Sequence, residues 1–210
     1  AYIMDGSVDG VRGRDWLRDR IGLVAGRPLD HRAVARACFA LDPFSLIHGV
    51  FFAQKPWPWQ PKIARAVTAF IEAENARPAV SGGVKRDIVN NEAKDNATAE
   101  GYGTVPHHRV EYVADKIVAY FSIDLAELRS YGLSQPATDL LEALIDFEIG
   151  SLLDGALRLR TACDLAVVGV EGERPDTEDA VTRIGKLVPD CADELGPVTT
   201  VTYTGRGKAA

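Results

Sequence analysis

Methionine occurs once, at Met4, and cysteine three times in a chain of 210 residues. Cys38, Cys163 and Cys191 are odd in number, far apart and without CxxC spacing. That pattern argues against a disulfide or zinc framework and predicts reduced, mostly buried thiols. No apolar run approaches the ~18 residues that a membrane span requires, and the opening AYIMDGSVDG lacks the basic and apolar regions of a signal peptide. A cytoplasmic protein with no membrane partner is expected. Also missing are HExxH, a His/Cys ligand cluster, GxSxG and a GxxxxGK[ST] loop. His31 and His48 stand alone, and His107 and His108 are adjacent, so on a strand they point to opposite faces. No catalytic residue, metal or cofactor is expected.

What is present fits one folded domain: 46% of residues are hydrophobic and 26% charged. The formal net charge of −6 is unevenly spread. Residues 48–86 carry six cations against two carboxylates, residues 87–154 four against thirteen, and residues 171–196 three against eight. A basic surface can therefore coexist with an acidic whole, and the local potential is what an anionic partner meets.

Along the chain, 13–21 and 31–40 read as short helices, the second capped by Asp30 with Val34, Ala37, Cys38 and Leu41 on one face. DPFSLIHGVFFAQ, residues 42–54, reads as a buried strand ending at the breaker KPWPWQP. Residues 62–75 fit either period, and the flanking punctuation favours a strand. Residues 81 to about 112 are polar and without helical period, too long for a structureless connection unless they serve a function or pair as a hairpin. KIVAYFSIDL, 116–125, is a strand by composition. Residues 136–155 form the strongest helix, with a stripe of Leu140, Leu141, Leu144, Ile145, Phe147, Glu148, Leu152 and Leu153. ALRLRTACDLAVVGV alternates as a half-buried strand with Arg158 and Arg160 on its other face. An acidic loop and helix follow Gly169, and PVTTVTYT reads as a last short strand. This order predicts an α+β fold, with helices against one face of a largely antiparallel sheet; a ferredoxin-like core fits it.

The stretch SGGVKRD, 81–87, places two glycines and two consecutive cations together. It is too short to wrap phosphates as a P-loop does, but binding a phosphate backbone needs only dispersed Lys and Arg, close backbone amides and side chains that stack on bases. Lys62, Arg65, Arg77, Lys85, Arg86, Arg109, Arg158 and Arg160 supply the charge. Ser81, Gly82 and Gly83 supply a close backbone, and Tyr102, His107 and His108 lie in the intervening segment. The same residues also fit a hairpin turn carrying solvated charges.

LDPFSLIHGVFFA, ARPAVSGGVKRD, EGYGTVPHHRVEY, IVAYFSIDLAELRSYGL and LRLRTACDL, in that order, closely resemble the CRISPR-associated RAMP backbone subunit of type I-G (formerly I-U) Cascade effectors, the seventh Cas family. The resemblance spans about residues 1–170 and implies a non-enzymatic protein with a modified RNA-recognition-motif (RRM) palm. Such a palm carries an inserted thumb-like hairpin, here at about 78–112, and residues 171–210 would be an acidic C-terminal extension packing on it. The resemblance further implies a subunit that polymerises along guide RNA (crRNA), meets target DNA through that RNA, and neighbours copies of itself and other Cascade subunits in antiviral defence. SGGVKRD would be the exit from a palm strand into the thumb, with Lys85 and Arg86 neutralising phosphate. Family members usually carry more sequence before the part seen here, so an incomplete subunit is expected. Two other readings remain: a RAMP-type RNA endonuclease with His107 or His108 as general base, and a structural assembly subunit.

Overall fold

Four of the helices in this chain begin where a side chain satisfies the first unpaired backbone amides. The computed structural model describes residues 2–87, 103–155, 157–160 and 163–203. Its N-terminal part runs α1 (Tyr2–Asp5), β1 (Ser7–Val8), β2 (Val11–Arg12), α2 (Gly13–Ile21), α3 (His31–Leu41) and α4 (Phe44–His48). It continues through β3 (Val50–Phe51), β4 (Lys62–Ile63), β5 (Val67–Glu74), β6 (Arg77–Asp87), β7 (Gly103–Val113) and β8 (Lys116–Ile123). It ends with α5 (Leu125–Ser130), α6 (Gln135–Asp154), β9 (Leu157–Arg160), β10 (Cys163–Leu165) and α7 (Thr177–Asp190). Asp30, Asp124, Ser134 and Asp176 accept bonds from the first turns of α3, α5, α6 and α7.

The fold is α+β, as expected. Among the described residues the strands pair in twos: β1 with β2, β3 with β4, β5 with β8, β6 with β7 and β9 with β10. The chain divides into two units, one of residues 1–68 with 121–210 and the other of residues 69–120, the division falling within β5 and β8.

The first unit is a helical body. Its core gathers Val34, Phe39, Leu46, Ile47, Leu128, Leu140, Leu141 and Ile145, all essentially fully buried. Tyr131 is buried with them, and its hydroxyl donates to the carbonyl of Leu46 at 2.9 Å, tying the loop after α5 to α4. The acidic C-terminal region is integral to this body: Ala180 and Cys191 are buried, and Arg183 pairs with Asp146 of α6 at 2.7 Å. Close approach of α7 to α6 depends on Gly150, where an added Cβ would lie 2.6 Å from Thr177 Oγ1. All three cysteines are free, Cys38 and Cys191 buried and Cys163 half-buried.

Four expectations are corrected. Residues 42–54 form α4 and the two-residue β3 rather than a strand. Asp42, bonded to Ser45 Oγ at 2.7 Å, and Pro43 open a helical turn that buries both Leu46 and Ile47. Gly49, at φ 77°, then ends it. The single strand expected from residue 156 is a hairpin, with Leu157 opposite Leu165 and Arg158 opposite Asp164. In place of a last strand, residues 197–203 form one isolated bridge, Thr202 to Ser7, and Val198 is fully in solvent, with no apolar burial to hold an extended segment. Leu152 of the expected apolar stripe on α6 is exposed. His48, which stands alone in sequence, has Nε2 2.9 Å from Glu148 Oε1 on α6.

Candidate nucleic-acid interface

The second unit is a two-stranded ribbon. Strands β6 and β7 pair antiparallel through eleven registers, from Arg77 opposite Val113 to Asp87 opposite Gly103. Both strands contain proline, Pro78 opposite Tyr112 and Pro106 opposite Val84. Proline cannot donate to a ladder and is confined to strand edges. A two-stranded ribbon consists only of edges, and both prolines fall on even-numbered registers, leaving the odd-numbered pairs to exchange two bonds each.

SGGVKRD therefore lies inside a strand, which corrects the alternative of a hairpin turn at these residues. The ladder supplies the physical reason: Ser81 faces Arg109, Gly82 faces His108 and Gly83 faces His107. Two consecutive registers thus have no side chain on one strand. The ribbon backbone is bare there, with Gly82, Gly83, His108 and Arg109 all exposed. Farther along β6, Lys85 and Arg86 occupy the registers opposite Val105 and Thr104.

Because facing residues share a side of the ribbon and successive ones alternate, its two faces differ. One carries Pro78, Val80 and Gly82 against Tyr112, Val110 and His108; the other carries Arg77, Ala79 and Ser81 against Val113, Glu111 and Arg109. On the charged face Arg109 Nη2 is 2.7 Å from Glu111 Oε1, and Arg77 Nη1 is 2.7 Å from Asp115 Oδ1. On the other, Tyr112 is 73% and Val80 69% exposed. The sequence reading missed this exposed row of Val80, Val110 and Tyr112. Its signal was the alternation in RVEYV, which sets Val110 and Tyr112 against Arg109 and Glu111.

The strands β5 and β8 extend the ribbon beyond Asn75, whose φ of 53° marks a break in extended backbone. Phe70 stacks on Tyr120 with ring centroids 4.7 Å apart, and Glu74 meets Lys116 at 3.8 Å. A step of four residues along β5 is matched by four backwards along β8, so this pair is antiparallel too.

The remaining predicted site residues lie in the other unit. Lys62 is on β4 opposite Phe51, Arg65 is exposed after β4, and Arg158 and Arg160 are on β9 opposite Asp164 and Cys163. Tyr102 lies outside the described residues, as do residues 88–102 of the expected insertion. Among the described residues no group of His, Cys, Asp and Glu is arranged to hold a metal ion, and no helix is long and apolar enough to cross a membrane.

No curated protein matches the chain. Residues 1–78, which run from α1 to the first residues of β6, match the model of a family described as CRISPR-associated protein GSU0053, and that match supports a CRISPR-associated protein.

Proposed function

We propose that the chain is a non-catalytic backbone subunit of a type I-G Cascade effector, binding guide RNA through phosphate and backbone contacts and repeating along the spacer beside other Cas components. In this reading the body holds an RRM-like palm and the ribbon is the thumb. The observation that carries it is the register of Gly82 and Gly83 against His108 and His107. That register creates a bare stretch of ribbon backbone, flanked by Arg109 on one strand and by Lys85 and Arg86 on the other. Bare backbone lets a strand of nucleic acid approach closely, cations neutralise its phosphates, and no base-reading pattern is needed when sequence is read by pairing between guide and target. The family match of residues 1–78 supports the same direction.

The test is to co-express the full-length gene with its guide-RNA array, purify the protein, treat it with nuclease and size the RNA it protects. RNA of discrete length is expected. In direct titrations Lys85→Ala/Arg86→Ala should weaken single-stranded RNA binding and flatten its salt dependence by ~0.7 in logarithmic slope for each phosphate left without its cation. A monodisperse protein free of nucleic acid would overturn the reading, and cleavage of labelled repeat RNA by the parent protein would overturn its non-catalytic part.

A further inference from the structure

Arg109, one of the cations flanking the bare stretch of the ribbon, is already occupied. Its Nη2 lies 2.7 Å from Glu111 Oε1, two residues along the same strand and therefore on the same face. Glu111 stands opposite Ala79, whose methyl group cannot accept a hydrogen bond from the guanidinium. The other guanidinium on this face, Arg77, is held differently. Its partner Asp115 lies across the ribbon in the bend between β7 and β8, where the Asp115 amide also donates to the carbonyl of Glu74 at 3.0 Å. Opening the Arg77 pair removes a cross-strand tie. Opening the Arg109 pair requires only that two exposed side chains on one strand change rotamer. The two pairs match in length and differ in what breaking them costs.

We propose that Glu111 is a built-in competitor for the phosphate that Arg109 would bind: it holds the guanidinium when no polyanion is present and is displaced when one arrives. The inference rests on the RNA-binding reading above and adds to it a device that sets affinity. A carboxylate and a phosphate oxygen present the same acceptor geometry to a guanidinium, so one exchanges for the other without rebuilding the site. Since the pair is exposed, the carboxylate lowers affinity only modestly, which keeps the RNA exchangeable until neighbouring contacts accumulate.

The experiment is a double-mutant cycle on the full chain, read by fluorescence anisotropy with labelled polyuridine RNA at low salt. Glu111→Gln should tighten binding by about threefold, the scale set by releasing one exposed ion pair. Glu72→Gln, which removes the same charge from exposed β5 and leaves the Arg109 pair in place, serves as the control and should change binding less. In an Arg109→Ala background the gain from Glu111→Gln should shrink to that of the control. Equal gains from Glu111→Gln and Glu72→Gln, or a gain that persists without Arg109, would overturn the competitor role and leave RNA binding standing. Absence of binding by both the parent and Glu111→Gln would overturn the RNA-binding reading and this inference with it.

Discussion

The helical body and the ribbon draw on the same apolar residue types and use them in opposite ways. In the body, Phe39, Leu46, Ile47, Leu128 and Leu141 are fully enclosed. In residues 69–120 none of the described side chains is buried, although Phe70, Ile71, Val80, Val110, Tyr112 and Tyr120 are all there and exposed. Burial stabilises the body by roughly 25 cal/mol for each Å² of apolar surface removed from water. The ribbon has ladder bonds and cross-strand pairs, each contributing at most about 1 kcal/mol, and an isolated two-stranded hairpin is marginal. Strand-forming composition therefore identifies a backbone conformation without revealing whether a core lies beneath it. In this chain the strongest strand composition marks surface.

The sharpest way to break that comparison is to remove comparable apolar groups from the two units. Leu141→Ala empties a fully buried site and should cost about 2–5 kcal/mol, seen as a lowered midpoint in denaturant. Val80→Ser, at an exposed position of the ribbon, should leave the same midpoint within about 0.5 kcal/mol. Similar losses from both would mean that the ribbon carries a core of its own.

Alkali should act through the body. Burial, reinforced by Asp42, pushes the Cys38 thiol from 9.0 up to about 12, and burial, then Glu127, raises the Tyr131 hydroxyl. Both groups are neutral in the folded state and ionise more readily when unfolded. Above pH 9 the unfolded chain therefore holds fewer protons than the folded one, and stability falls as pH rises through the window up to about 12. Each fully developed group steepens the fall by about 1.4 kcal/mol per pH unit. Cys38→Ala should make the decline between pH 9 and 11 shallower by one such group; an unchanged slope would mean that the thiol is accessible to solvent.

The parts of the fold legible in the sequence are those governed by neighbours in the chain. Helices α3 and α6 announce themselves through Asp30 and Ser134 at their starts and a regular apolar face. Strand β5, the larger part of the segment read as one strand over residues 62–75, is readable because proline-rich punctuation precedes it, whereas the break at residues 64–66 that separates it from β4 is not. Helix α4 was hidden, since Phe44, Leu46 and Ile47 have the composition of a strand, and only the core decides that Leu46 and Ile47 must both point inward. Helix α5 was missed although Asp124 accepts from the Glu127 amide, a short cap outweighed by the strand composition before it. The candidate site was legible as a list and illegible as an arrangement. SGG and HHR are visible motifs, but that they face one another depends on a register set over eleven pairs. The His48–Glu148 contact links residues a hundred positions apart, and no local pattern reports it.

The smallest effect tests the ribbon alone. Phe70 and Tyr120 stack at 4.7 Å with planes 18° apart, an exposed cross-strand pair. Such a pair contributes about 0.5–1 kcal/mol, and in a unit where none of the described side chains is buried the loss has nowhere to propagate. Phe70→Ala should speed amide hydrogen exchange along β5 and β8 while the denaturation midpoint of the body stays put, because local opening and global unfolding are separate events here. Adding Tyr120→Ala should bring little further loss, since the first substitution has already removed the stacking. If Phe70→Ala lowered the global midpoint as well, the ribbon and the body would unfold as one cooperative unit, and their different use of apolar residues would be a difference of exposure without a difference of stability.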